Sequence, residues 1–131
     1  MQKEFVPYEL ALKLKELGFD QECFGWWSYI NGTAASFYGY HCTNSELIEL
    51  NFFNKNCTAP IWQQAFDFMA FKCSIHGNVI TSGRDKIYMS SEYREGYGGT
   101  KSNDETYTDI YQCRIDLLED MIELFKRPED Y

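Results

Sequence analysis

Cys23-Phe24-Gly25-Trp26-Trp27-Ser28-Tyr29-Ile30-Asn31-Gly32, continued by Thr33 to His41, is the stretch whose reading decides the fold. It is rich in aromatic residues, and Asn31-Gly32 suits the positive φ angles of a two-residue type I′ turn. Cys23 to Ile30 therefore predicts one strand, and Thr33 to His41 a second that pairs back on it. Alternate residues of a strand point to opposite faces, so Trp26, Trp27, Tyr29, Phe37, Tyr38 and Tyr40 cannot all be core. A wet aromatic face is expected, with Trp26, Trp27, Tyr38 and Tyr40 as its candidate partner-binding residues.

Outward toward the N-terminus, Leu10, Leu14 and Leu17 recur at helical spacing behind Pro7, with Glu9 four residues before Lys13. Gly18 ends that helix, and Phe19 is placed to fold back on Leu14 as helix C-caps commonly close. Outward toward the C-terminus, Ile48 to Phe53 alternates apolar and polar residues as a half-buried strand does, with a short helix from Asn44 or Ser45 as the alternative. Thr58-Ala59-Pro60 reads as a helix start in which the hydroxyl caps free amides, and Ile61, Trp62, Ala65, Phe66, Met69 and Phe71 follow. His76-Gly77-Asn78 breaks it. Val79 to Thr81 and Lys86 to Ser90, separated by Ser82-Gly83-Arg84-Asp85, predict a second hairpin. Glu95 to Asp104 has loop composition. A last helix begins near Thr106 and carries the stripe Ile110, Cys113, Leu117, Met121 and Leu124, which must pack on a sheet, until Pro128 stops it.

No repeat, low-complexity tract or linker divides residues 1–131, so one domain is expected. Its class is α+β: a small antiparallel sheet of about four or five strands packed against three helices in two layers. With 131 residues, 44% hydrophobic and 18% aromatic, there is far too much apolar material for a disordered chain. No apolar run is long enough for a membrane span, and the N-terminus lacks a signal-peptide layout, so the chain reads as cytoplasmic. The five cysteines have no paired short spacing, which fits reduced, buried thiols.

The formal charge is −8, with 12 basic against 20 acidic side chains, the wrong sign for binding a phosphate backbone. A protein with a basic surface is the better partner, and direct nucleic-acid or membrane binding is not expected. Most of the charge lies between Asp104 and Tyr131, where nine acidic residues face three basic ones, a net −6. Within it Asp116 with Asp120, and Glu119 with Glu123, are like-charge pairs that each cost an isolated helix roughly 0.2–0.5 kcal/mol. The bland reading is a solvated helix face. The functional reading makes Asp109, Asp116, Glu119, Asp120 and Glu123 a strip that docks on a basic partner.

His41-Cys42 and Cys73 with His76 hold ligand-type side chains but lack zinc-site spacing, so no metal or other cofactor is expected. Gly96-Tyr97-Gly98-Gly99-Thr100-Lys101 falls short of a phosphate-binding loop, and no catalytic signature occurs elsewhere. A non-enzymatic protein is expected. Two alternatives stay open: a small enzyme using Cys73 or Cys42 with a histidine, and a virion or replication accessory acting by self-association.

Glu4-Phe5-Val6-Pro7-Tyr8-Glu9-Leu10-Ala11-Leu12 through Leu17-Gly18-Phe19-Asp20, then Cys23-Phe24-Gly25, resembles the opening of small uncharacterised proteins of phage and prophage genomes. Thr58-Ala59-Pro60 with Gln64-Ala65-Phe66 looks like their Ala-Pro-x-x-x-Gln-Ala-Phe helix start, and Glu105-Thr106-Tyr107 is similar to their closing block. Residues 31–56 depart from that pattern. So does Asp67-Phe68-Met69-Ala70-Phe71-Lys72, where the family has Trp-Phe-Arg-Glu-Lys. The resemblance implies a mobile-element origin and, by analogy with small acidic phage proteins, a monomeric inhibitor of a host defence protein such as a CRISPR effector, an anti-CRISPR.

Overall fold

The computed structural model describes residues 2–29, 36–50, 55–82, 87–94, 101–102 and 106–126. The chain is mixed α+β and divides into two compact units, residues 1–65 and 66–131.

The first unit opens with a short 3-10 turn, Gln2–Glu4, and helix α1, Tyr8–Glu16. Pro7 is the N-cap residue, and its carbonyl accepts the Ala11 amide at 2.9 Å. The exit is a Schellman closure: the Phe19 amide donates to Leu14 O at 3.0 Å and the Gly18 amide to Lys15 O at 3.0 Å. Gly18 holds φ at 101°, a conformation that side-chain-bearing residues rarely adopt. Leu10 and Leu14 are buried, as the spacing predicts, with Ala11 and Phe19 beside them, while Leu17 is only part-buried.

Strand β1, Cys23–Ser28, pairs antiparallel with β2, Ser36–Cys42, and a short β3, Cys57–Thr58, pairs antiparallel on β1's other side. The sheet order is β2-β1-β3. Asn31-Gly32 lies outside the described residues; the register beside it sets Ser28 opposite Ser36 and Trp26 opposite Tyr38.

Of the two readings of this stretch, a strand over Ile48 to Phe53 and a short helix from Asn44 or Ser45, the structure has the helix, α2, Asn44–Leu50, and residues 51–53 lie outside the described set. The reason is a capping box. Thr43 Oγ1 accepts the Glu46 amide at 3.2 Å while Glu46 Oε1 accepts the Thr43 amide at 3.1 Å, which settles two free donors at once. Asp20 Oδ1 takes the Ser45 amide at 2.8 Å. Inside, Asn44 donates through Nδ2 to Phe19 O at 2.7 Å and accepts the Thr58 amide on Oδ1 at 2.9 Å, tying the α1 exit, α2 and β3 together.

Thr58 does not cap a helix. It lies in β3 opposite Trp26, and the chain runs on extended through Ala59 and Pro60, with Ala59 N bonded to Gly25 O and Val6 N to Pro60 O, both at 2.8 Å. Helix α3, Trp62–Cys73, starts later, where Gln64 Oε1 accepts the Ile61 amide at 3.1 Å. The unit boundary falls inside α3.

In the second unit α3 ends at Cys73 because Ser74 turns to φ 58°. His76-Gly77-Asn78 is therefore no helix break but part of strand β4, Ile75–Ser82, which forms a long antiparallel hairpin with β5, Ile87–Arg94. Part of the expected loop over residues 95–104 also pairs: Lys101–Ser102 is strand β6, set against Ser91 and Glu92. The rest of that stretch, including Gly96 to Thr100, lies outside the described residues.

Helix α4 is Ile110–Lys126 and begins later than Thr106 because Tyr107 first bridges to Tyr88, with amide-carbonyl bonds of 2.8 and 2.9 Å. Of the expected stripe Cys113, Leu117, Met121 and Leu124 are buried, with Leu118 and Ile122 beside them, while Ile110 is only part-buried; the helix packs on β4 and β5. A Cβ on Gly77 would lie 2.6 Å from Met121 Sδ and 3.2 Å from Leu117, so glycine lets the helix settle closely on β4. Pro128 lies outside the described residues. Among the described residues no helix is long and apolar enough to cross a membrane.

Candidate functional site

The acidic residues of α4 divide by role. One helical turn takes about 3.6 residues, so Asp109, Asp116, Glu119, Asp120 and Glu123 share an arc of roughly 100° opposite the buried stripe. Asp109 is the N-cap residue. Its Oδ1 accepts the Tyr111 amide at 3.0 Å and its carbonyl the Cys113 amide at 3.2 Å, a position that stabilises a helix start by about 1 kcal/mol. Asp116 is half-buried and holds two donors: the Tyr107 hydroxyl at 2.6 Å on Oδ2 and Gln112 Nε2 at 2.9 Å on Oδ1. Both carboxylates thus brace the helix N-terminal half. Glu119, Asp120 and Glu123 are exposed and form the outward charge of the strip.

The aromatic residues of the first hairpin divide by face. Trp27 is buried at 7% exposure, meets Phe37 edge-on at 5.5 Å between centroids, and donates Nε1–H to Val6 O at 3.0 Å. Phe37 also packs on Phe5 at 4.6 Å. Trp27 therefore belongs to the core and leaves the exposed set, because its neighbour Trp26 points the other way. Tyr29 is not on that face either; it stacks on Tyr8 at 5.5 Å.

The outward face holds half-buried Trp26, stacked on Tyr38 at 5.1 Å and 24°, together with exposed Tyr38 and Tyr40. Sequence reasoning missed three further members. Between the pairs Gly25–Gly39 and Cys23–Cys42 the register slips by one residue, a β-bulge that sets Tyr40 and His41 together opposite Phe24. Phe24 is 54% exposed, beside 49% for Tyr38 and 60% for Tyr40, values that make this a solvent-facing aromatic patch. His41 meets the Phe24 ring at 4.9 Å, and its Nδ1 lies 3.3 Å from Glu22 Oε1. Alternation alone leaves the phase of a strand open, and nothing in the residue types announces a bulge.

The thiols are a different case. All five cysteines are buried. Burial pushes the Cys23 and Cys42 thiols up to about 11 and Cys57 up to about 12, and it raises Cys113 as well. Nearby carboxylates add to the rise at Cys42, while the Thr58 hydroxyl lowers Cys23 in part. That hydroxyl is itself buried without a partner of normal hydrogen-bond geometry. A protonated, buried thiol is a poor nucleophile, so the reading of Cys42 with a histidine as a catalytic pair draws no support from this geometry. Among the described residues no group of three or more His, Cys, Asp or Glu side chains is placed to hold a metal ion.

Well below pH 9 these thiols are neutral in folded and unfolded chains alike. Above it the unfolded chain ionises while the native state keeps Cys23, Cys42 and Cys57 protonated up to about 11–12, so stability falls as pH rises through that window. Urea titrations at pH 8 and at pH 10.5 should show the loss, and replacing the three cysteines by alanine or valine should flatten it. A chain equally stable at both values contradicts the burial of these groups.

No family model, curated protein or solved structure matches the chain.

Proposed function

We infer that the chain is a non-enzymatic, phage-derived inhibitor that acts in the host bacterial cytoplasm by binding a nucleic-acid-handling defence protein of the CRISPR effector type, an anti-CRISPR. The observation that carries this reading is the outward face of α4, where Glu119, Asp120 and Glu123 stand exposed opposite the buried stripe in a segment of net charge −6. Proteins that hold nucleic acid present cationic grooves, and an anionic face gains both encounter rate and register on such a surface. Asp109 and Asp116 support the strip by capping and bracing the helix.

The exposed patch around Trp26, Tyr38 and Tyr40 is a second contact surface, since aromatic residues concentrate binding energy at protein interfaces. The reading takes the chain as a monomer that occupies its target in place of nucleic acid.

The test is biological. Expression in strains that each carry one active CRISPR effector should restore plating of a targeted phage in at least one of them. Glu119→Lys, Asp120→Lys and Glu123→Lys together should abolish the restoration while leaving the chain folded. Restoration unaffected by the triple change, or no restoration in any strain, counts against the inhibitor.

A further inference from the structure

We propose that the outward face of the β1–β2 hairpin binds an arginine-bearing extended segment of the partner, with guanidinium groups lying over the Tyr40 and Tyr38 rings and Glu22 as counter-ion. This rests on the reading of the chain as a binder of a basic protein and names which part of that protein the first unit would take.

The charge around the patch selects the occupant. Residues 22–29 and 36–50 contain no lysine or arginine, while Asp20, Glu22 and Glu46 are exposed at the same end of the sheet. A cation therefore meets carboxylates and ring faces there, and no lysine or arginine from β1, β2 or α2; the one side chain it shares Glu22 with is His41. The ring faces are negative in their quadrupole and attract a cation most strongly when it is partly desolvated; arginine stacks on them better than lysine because its guanidinium is planar and weakly hydrated. The same unit already uses this contact, with Lys55 Nζ 5.1 Å from the Tyr29 ring centroid.

The spacing selects an extended segment. Tyr38 and Tyr40 are two residues apart on one strand, and an extended peptide repeats its side chains on one face with that same period. The bulge sets Tyr40 and His41 together opposite Phe24, so the patch broadens at the end where Glu22 sits. Trp26, stacked under Tyr38, holds that ring in place.

The experiment titrates the full chain, by tryptophan fluorescence at low salt, with a short blocked peptide carrying two arginines separated by one glycine, and with its lysine and citrulline analogues. The arginine peptide should bind more tightly than the lysine peptide and the citrulline peptide should not bind. Tyr40→Leu, which keeps apolar area but removes the ring, should weaken binding by about fivefold, and adding Glu22→Gln by about tenfold. Equal binding by wild type and both variants overturns the proposal. So does loss of binding in the triple lysine variant of α4 with Tyr40→Leu unaffected, an outcome that would move the arginine to α4 and leave the inhibitor reading standing. Loss at Tyr40→Leu with the α4 variant unaffected supports the patch, whatever becomes of the α4 strip.

Discussion

Trp27→Ala is expected to destabilise the first unit by about 3–5 kcal/mol, whereas Trp26→Ala, its immediate neighbour, should cost under about 1 kcal/mol. The asymmetry comes from strand alternation. Trp27 faces inward at 7% exposure, packs on Phe37, and satisfies the Val6 carbonyl with its indole N–H at 3.0 Å. Truncation removes a large apolar side chain, opens a cavity, and leaves that carbonyl without its donor. Trp26 is half-buried and its stack on Tyr38 lies on the wet face, where water replaces much of what is lost. Urea denaturation of the two single variants reads the difference. Equal losses would mean that the faces of the hairpin are wrongly assigned, and the exposed patch would go with them.

Asn44→Ala is expected to cost about 2–4 kcal/mol, a large effect for a side chain of its size. Asn44 is buried at 4% exposure, and its amide group spans two backbone partners, the Phe19 carbonyl and the Thr58 amide. Alanine removes the bond that Asn44 supplies to each of them, and a buried backbone group that loses such a bond costs about 1–3 kcal/mol. Ser45→Ala, one residue on, is the control: its hydroxyl bonds Asp20 at an exposed site, so a change within about 0.5 kcal/mol is expected. Matching small losses from both would show that Asn44 is not the tie between the α1 exit and β3.

These two residues show what was legible in the chain and what was not. Helix α1 with its Gly18 closure, the antiparallel pairing of the two aromatic strands, the pairing of the second hairpin and most of the apolar stripe of α4 follow from local rules of spacing and capping, and the structure bears them out, while the two turns lie outside the described residues. The α+β class follows from them. The strand reading of Ile48 to Phe53 misled because Ile48, Leu50 and Phe52 alternate, while the alternative of a helix from Asn44 holds, started by the Thr43-x-x-Glu46 capping box. Thr58 misled for the opposite reason. A hydroxyl before proline is a good cap in isolation, but pairing with Trp26 holds that residue in a strand. The stop at Ser74 and the pairing of Lys101–Ser102 depend on partners remote in the chain, which local propensity does not see.

The candidate site was legible in composition and not in detail. The acidic run of α4 could be counted, but whether each carboxylate works inside the fold or faces outward depends on tertiary partners. Asp116 is committed by the Tyr107 hydroxyl, a residue that precedes the helix, and Asp109 by its place at the helix start. Glu119, Asp120 and Glu123 are exposed, so their charge reversal reads the outward face, whereas a variant that includes Asp116 would confound binding with stability. On the sheet, the bulge that brings Tyr40 and His41 together opposite Phe24 has no signature in residue type.

The central claim is that the outward carboxylates of α4 attract a cationic protein. Its most direct measurement is affinity capture from a bacterial lysate at low salt, quantified by mass spectrometry for the wild type and for the Glu119→Lys, Asp120→Lys, Glu123→Lys variant side by side. The predicted result is a basic nucleic-acid-binding protein recovered by the wild type, released at high salt, and lost from the variant. Recovery of the same proteins by both chains at every salt concentration would contradict it.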